Sequence, residues 1–143
     1  MIPVALFLTQ AAAAISPPVL GAIGQQALPP KGCAAFLWRN GPDPELIAMA
    51  VGEPGRLRLS VAGRAVDLPR TASRGDAALG IPAGGDFSGD GMAATLDLEV
   101  TQQADLTDGA RVPAGTLTVR RAGGDAAIIP VAGLIGCSTD RSR

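Results

Sequence analysis

Hydrophobic and polar side chains alternate with a period of two along several short segments of this chain. In RLRLSVA, Leu57 and Leu59 alternate with arginine and serine, and after Gly63 the segment RAVDLPR places Val66 and Leu68 on one face. Alternation of this kind is typical of strands with one buried face. A short glycine-containing turn between two such strands predicts a β-hairpin around Gly63.

Other short apolar segments are separated by glycine, proline, asparagine and aspartate, which favour turns. In the last segment Pro130 lacks an amide donor and predicts an edge strand or a bulge. The pattern predicts an all-β fold, a small antiparallel barrel or sandwich of about seven to eight short strands. Besides the two strands around Gly63, the candidate strands are CAAFLWR from Cys33, ELIAMAV from Glu45, the weaker ALGI from Ala78, ATLDLEVTQ from Ala94, GTLTVRR from Gly115 and AAIIPVAGLIGC from Ala126.

The first candidate strand, CAAFLWR, is apolar on both faces until its last residue. Ala35 and Leu37 share one face, and Phe36 and Trp38 share the other. A strand that is covered on both sides has this composition. We therefore interpret Phe36 and Trp38 as covered core residues. If the fold leaves this side open, the two aromatic rings would instead anchor a binding partner.

The chain begins with a short apolar run, IPVALFL, followed by TQAAAA. Alanine pairs two positions apart between residues 11 and 14 match the small-residue pattern of a signal-peptide cleavage site. The apolar run stops at Pro17, well short of the ~20 residues that a membrane-spanning helix needs. We predict a signal peptide over residues 1–14 and a periplasmic or secreted protein without a transmembrane segment in the mature chain. An uncleaved anchor is the alternative.

The rest of the chain divides by composition into three parts. Residues 15–32, bracketed by proline pairs, predict an extended lead-in. A β domain is predicted over residues 33–137 and a short polar tail over residues 138–143. The chain is rich in alanine and glycine, and all its basic residues except Lys31 are arginine, which is typical of a GC-rich bacterial genome.

Cys33 opens the first strand candidate and Cys137 ends the last one. In an exported protein, two cysteines favour one disulfide over two buried free thiols. A bridge requires the two Cα atoms to lie within ~7 Å, so the first and last strands must be neighbours or face each other. A closed barrel satisfies this requirement most simply, and a sandwich with a bridge between its sheets is the alternative.

Composition excludes several classes of function. The chain has 143 residues, 12 basic and 13 acidic side chains and a net charge of −1, which gives no electrostatic footprint for nucleic acid. Histidine is absent, which removes the commonest general base and zinc ligand. With both cysteines in a bridge, histidine-assisted nucleophilic catalysis is excluded as well. No cofactor is expected.

Three carboxylates on predicted strands are the remaining catalytic candidates. Asp97 and Glu99 share the polar face of one strand, and Asp67 could join them. The alternation explains all three as a solvated strand face, for which Arg58 and Arg120 offer cross-strand charge partners. We therefore assign no catalytic residue and expect no enzyme activity.

One stretch, GDFSGDGMAATLD from Gly85 to Asp97, has the spacing of a calcium loop. Its DFSGDG resembles the calcium loops of FG-GAP and dockerin-like repeats, which implies Asp86, Ser88, Asp90 and Asp97 as ligands. However, the residues after Met92 alternate as a strand, which places Asp97 on the order of 16 Å from Met92. We therefore predict a turn and keep a weak calcium site as an alternative.

The sequence as a whole predicts an exported small β domain that acts as a non-catalytic periplasmic or envelope factor. The alternative is a binding protein or inhibitor that caps an envelope protein, such as a cell-wall hydrolase. This alternative follows from an analogy in fold with small disulfide-stapled periplasmic barrels that inhibit lysozymes.

Overall fold

The computed structural model describes residues 2–6, 16–102 and 109–138. The predicted cleavage site and nearly all of the predicted polar tail lie outside these ranges. Within them, no helix is long and apolar enough to cross a membrane. The described strands are β1 (Leu20–Gly21), β2 (Cys33–Arg39), β3 (Leu46–Val51), β4 (Arg56–Val61), β5 (Arg64–Ala78), β6 (Ile81–Gly89), β7 (Met92–Thr101), β8 (Gly109–Arg121) and β9 (Ala126–Cys137).

Strands β2 to β9 form a closed, eight-stranded antiparallel barrel. Each strand pairs with the next one along the chain, and β9 pairs with β2 to complete the ring. The connectivity is therefore that of an up-and-down barrel. The short β1 is an additional, ninth strand that pairs with β4 at Leu20↔Val61, beyond the Ala48↔Leu59 pair at which the β3–β4 ladder stops. The all-β prediction is confirmed, and the fold is a barrel instead of a sandwich.

The predicted bridge between Cys33 and Cys137 is present. The two residues are directly opposite each other in the β2–β9 ladder, with an S–S distance of 2.00 Å and a Cα–Cα distance of 4.0 Å. The disulfide therefore covalently ties the first and last strands of the barrel at the seam where the ring closes.

Every second side chain along each strand points into the barrel, and these inward side chains are mostly apolar. Leu57 and Leu59 of β4 point inward, as do Leu117 and Val119 of β8, and all four are fully buried. Small barrels of eight strands have an interior that side chains can fill. The other large side chains with less than 2% exposure are Leu37, Ile47, Leu68, Val112, Val131 and Ile135.

The lead-in packs against the outside of the barrel wall. The amide of Ile23 donates to the carbonyl of Leu46 at 2.8 Å, and Arg58 of β4 donates to the side-chain carbonyl of Gln26 at 2.8 Å. Beneath this segment, Ile23 packs against a second buried cluster, on the outer side of β2 and β3, that includes Phe36. The outer face of β2 is thus covered by the chain's own N-terminal segment.

The predicted ALGI strand is wrong, because Leu79 and Gly80 form the turn between β5 and β6. Both residues have positive φ, 52° and 78°, as a tight hairpin turn requires. Strand β5 continues to Ala78, well beyond the predicted RAVDLPR, and β6 covers IPAGGDFSG. Glycines such as Gly84 and Gly85 carry no side chain, so β6 gives no alternation to detect in the sequence.

Pro130 lies in β9, which is paired on both sides, so the edge-strand alternative is wrong; the β8–β9 ladder has an irregularity between Val112 and Gly115, next to the Thr116↔Pro130 pair. The last β2 partner of β9 is Arg39, which is opposite Val131. Pro130 comes just beyond this pair, where its carbonyl accepts a hydrogen bond from the Asn40 amide at 3.1 Å. The missing donor therefore falls where the ladder with β2 has already ended.

Candidate functional site

The stretch that resembles a calcium loop forms the β6–β7 hairpin. Asp90 and Gly91 make its two-residue turn, with φ values of 51° and 72°. Asp86 is opposite Thr95 in the ladder, and the Thr95 hydroxyl donates to the Asp86 carboxylate at 3.1 Å. Asp86 is four residues before the turn, about 13 Å along an extended strand from Asp90. This stretch therefore forms two paired strands, and not a loop that curls around one ion.

The alternation after Met92 predicts a strand that carries Asp97 away from Asp86 and Asp90, and for Asp86 this prediction is wrong. The β6–β7 ladder pairs Asp97 with Gly84, so the folded hairpin returns Asp97 to the neighbourhood of Asp86. Arg74 of β5 lies between the two carboxylates, at 2.7 Å from Asp86 and 3.4 Å from Asp97. The hydrogen bond from Arg74 lowers the pKa of Asp86. The Arg74 guanidinium therefore lies where a calcium ion would have to bind to use both carboxylates.

Ser88 is exposed on β6, one residue beyond the inward-facing Phe87. Across residues 2–6, 16–102 and 109–138, no group of three or more His, Cys, Asp or Glu side chains is arranged to hold a metal ion. Asp86, Ser88, Asp90 and Asp97 are thus divided between the outer face of two strands and the tip of their turn.

Two of the three carboxylates considered for catalysis, Asp67 and Asp97, form ion pairs with different arginines. Asp67 does not join Asp97 and Glu99, because it accepts two hydrogen bonds from Arg58, at 2.8 and 3.1 Å. This contact, with a smaller opposing effect of desolvation, lowers the pKa of Asp67. Asp97 is paired with Arg74, and the expected partner Arg120 takes no part. Asp67 and Asp97 therefore do not form one cluster of carboxylates with Glu99.

A shallow recess of about 440 Å³ lies beside Asp97 and Glu99 on the outer wall of the barrel. Gly84 and Gly115 contribute backbone to it without side chains, and Thr116 adds a hydroxyl. Within this recess the Asp97 carboxylate is ion-paired with Arg74 at 3.4 Å.

The two aromatic residues considered for partner binding differ in exposure. Phe36 is 9% exposed, whereas Trp38 is half-buried at the edge of the covered cluster. In the β2–β9 ladder Phe36 is opposite Leu134 and Trp38 is opposite Ala132. Both rings therefore adjoin the outer face of β9, which carries the nearest uncovered apolar surface.

The outer face of β9 is apolar and exposed to solvent along most of its length. Ile128 is 68% exposed and Leu134 is 46% exposed, and Pro130 is exposed between them. Together with Ala132 they form what we call the β9 stripe. The sequence held a signal for it, because AAIIPVAGLIGC contains no charged or amide side chain, and a strand apolar on both faces is normally covered on both. Exposed apolar patches of this kind mark interaction sites.

Arginines border the β9 stripe on the β8 side. Arg111 is opposite Leu134, and Arg120 is opposite Ala126, near the other end of the stripe. Neither guanidinium has a hydrogen bond or ion pair within the part of the chain that the structure describes. The apolar surface is therefore followed on one side by unpaired positive charge.

Comparisons of this chain with protein-family models, with curated proteins and with solved structures gave no match.

Proposed function

We propose that this protein is an exported, non-catalytic binding domain of the bacterial envelope, periplasmic or secreted. The observation that carries the proposal is the exposed β9 stripe beside Trp38. The outer face of β2, which is equally apolar, is covered by the lead-in, whereas Ile128 and Leu134 on the outer face of β9 are exposed. Burying a large aliphatic side chain such as Ile128 contributes about 1.5–3 kcal/mol, so a partner that covers the stripe gains affinity.

Export is supported by the disulfide and by the place where packing of the chain begins. Disulfides persist in oxidising compartments and are rare in the cytosol. Pro18 and Leu20 are buried against the barrel, only a few residues after the predicted cleavage site. Cleavage after Ala13 or Ala14 would therefore leave the described barrel and its lead-in intact.

Binding at the outer surface is supported by the filling of the barrel. Barrels that carry small ligands keep an open interior, but here large side chains from β2, β4, β5, β8 and β9 occupy it. A partner protein of the envelope, such as a cell-wall hydrolase that the domain caps, fits this mode of action. Inhibition of a hydrolase is the narrower form of the same proposal.

The proposal is tested by site-specific photocrosslinking in intact cells of the native host. A photoreactive amino acid replaces Ile128 on the stripe, and a matched variant carries it at Ala65, which is exposed on β5, four strands from β9 around the barrel. We expect a discrete higher-mass adduct from position 128 and none from position 65. Absence of an adduct from position 128, or equal adducts from both positions, would contradict binding through the β9 stripe.

A further inference from the structure

An apolar recess lies between the lead-in and the β3–β4 turn, apart from the β9 stripe. Its volume is about 380 Å³. Pro29 and Pro30 of the lead-in and Pro54 of the turn contribute to its walls, and Val51, the 2% exposed last residue of β3, also lines it. We call this recess the proline pocket. Its size is within the range of small-molecule sites, which are concave and mostly apolar with few polar groups.

The proline pocket is preorganised. Each proline ring fixes its own φ angle and presents apolar carbon without an amide donor. The turn next to the pocket is attached to the barrel seam, because the Gly52 amide donates to the carbonyl of the disulfide-bonded Cys33 at 3.0 Å. A ligand that enters such a pocket has little chain left to order, which favours binding.

Three charged residues line the proline pocket, and they do not balance. Lys31 and Arg56 are cationic and Glu53 is anionic, so the pocket has an excess of one positive charge. A pocket with this charge favours a ligand with a single negative charge, since a second carboxylate would face Glu53 without a cation to offset it.

Arg56 has an unused capacity to donate hydrogen bonds. Among the residues that the structure describes, the buried Nε atom of Arg56 has no acceptor, and its guanidinium forms no other hydrogen bond or ion pair. The nearby carboxylate of Asp67 feels the charge of Arg56 but is held by both Nε and Nη2 of Arg58. Buried donors in folded proteins almost always have a partner, so an unpaired one requires an explanation.

We propose that the proline pocket binds a compound in which a small apolar group ends in one carboxylate, with Arg56 as the partner of the carboxylate. Guanidinium groups pair with carboxylates through two parallel hydrogen bonds, commonly using Nε and one terminal nitrogen. Arg56 lines the pocket and has an unpaired Nε, so its guanidinium has donors available for such a pair. The apolar group lies against the prolines and Val51, and Lys31 adds a second positive charge at the rim.

Two sources supply this chemistry: the C-terminal residue of a polypeptide, when that residue is apolar, and a short free fatty acid. Hexanoate and N-acetyl-leucine represent the two sources. Hexanamide and N-acetyl-leucinamide have nearly the same shape without the charge. The test titrates each of the four compounds into the oxidised protein while amide chemical shifts are recorded by NMR.

We expect saturable shifts at Lys31, Val51 and Gly52 with one or both carboxylates, and at least tenfold weaker binding of the matching amides. Response to hexanoate alone assigns a fatty acid, and response to N-acetyl-leucine alone assigns a chain terminus. Equal binding of acids and amides, or no saturable shift with any compound, overturns the proposal. These comparisons use the wild-type protein, so they do not depend on the folding of a variant.

A pair of variants assigns the carboxylate to its partner. Arg56→Gln should weaken binding of the responding acid by at least tenfold, whereas Arg64→Gln, at an exposed position next to the Gly63 turn, should leave it unchanged. Unchanged binding in Arg56→Gln, in a variant whose spectrum shows an intact fold, overturns the role of Arg56.

Discussion

At the scale of single residues, Gly133 is the position where the barrel wall leaves no room for a side chain. It is opposite Leu37 in the β2–β9 ladder, and a Cβ atom there would overlap the carbonyl oxygen of Phe36. Because that neighbour is backbone, it cannot move aside as a flexible side chain can. We predict that Gly133→Ala lowers the free energy of unfolding by about 1–3 kcal/mol, measured by urea denaturation. Gly21→Ala is the control, because nothing lies within 4 Å of its added methyl group; equal stability of the two variants would contradict the prediction.

A second prediction for single residues is that the contribution of the Arg58–Asp67 pair to stability depends on pH. The folded state lowers the pKa of Asp67 from 3.8, chiefly through the hydrogen bond from Arg58, so the ionised carboxylate stabilises the fold above that pH. This stabilisation is lost as pH falls through the lowered folded-state pKa. Since both side chains are partly exposed, we expect Asp67→Asn to cost at most about 1 kcal/mol at pH 7.

The measurement for this pair is urea unfolding of wild type and Asp67→Asn at pH 7 and near pH 2. The difference between the two proteins should be present at pH 7 and shrink toward zero in acid. Asp125→Asn, at an exposed turn position, should show no such change. A difference that stays constant with pH would mean that the carboxylate contributes through packing and not through its charge.

At the scale of elements, the β2–β9 seam closes the barrel with one disulfide. By the chain-entropy account, a bridge that encloses a loop of about 100 residues restricts the unfolded chain strongly. We predict that replacing both Cys33 and Cys137 by alanine lowers the free energy of unfolding by about 2–5 kcal/mol. Reductant should destabilise the wild type and leave the stability of the double variant unchanged. In a separate experiment without reductant, the processed wild-type protein should show negligible thiol labelling. Two labelled thiols in that protein would contradict the proposed compartment.

The β6–β7 hairpin makes the other prediction at this scale. Its strands place Asp90 at the turn and pair Asp86 with Arg74, so we expect no effect of calcium on thermal stability. Calcium at one hundred times the Kd of a site would stabilise the folded protein by about 2.7 kcal/mol, which a thermal melt detects readily. Melting temperatures in millimolar calcium and in chelator should coincide. A rise of several degrees that Asp90→Ala abolishes would show that the turn binds the ion after all.

At the scale of the whole molecule, the lead-in and the barrel form one unit. The amide of Ala62 donates to the carbonyl of Val19 at 3.1 Å, and Arg39 donates to the carbonyl of Leu20 at 2.7 Å. We therefore predict that the mature protein keeps the lead-in and begins near Ala14, Ile15 or Ser16, as N-terminal sequencing of protein from the native host would show. A mature chain that still begins at Met1 would point to an anchor or to a cytoplasmic protein.

Much of the fold could be predicted from local patterns. Alternation around Gly63 gives the β4–β5 hairpin, because one buried face imposes a period of two on the sequence. The twelve apolar and small residues from Ala126 to Cys137 give β9 with its observed bounds. Each of these signals lies within a few residues, so no knowledge of distant parts of the chain was needed. The two cysteines limited how the ends of the barrel could meet, although they did not distinguish a barrel from a sandwich.

The sequence by itself thus determined the all-β class, most strand positions and the bridge between Cys33 and Cys137. Only the tertiary structure decided which apolar faces are covered, because coverage depends on where the lead-in crosses the barrel: over β2 and Phe36, and not over the β9 stripe. It also decided which charges meet, since Arg74 reaches both Asp86 and Asp97 through the pairing of three strands. Contacts of this kind depend on register between distant segments, and a strand's own alternation fixes which face a side chain occupies but not its neighbour across the sheet.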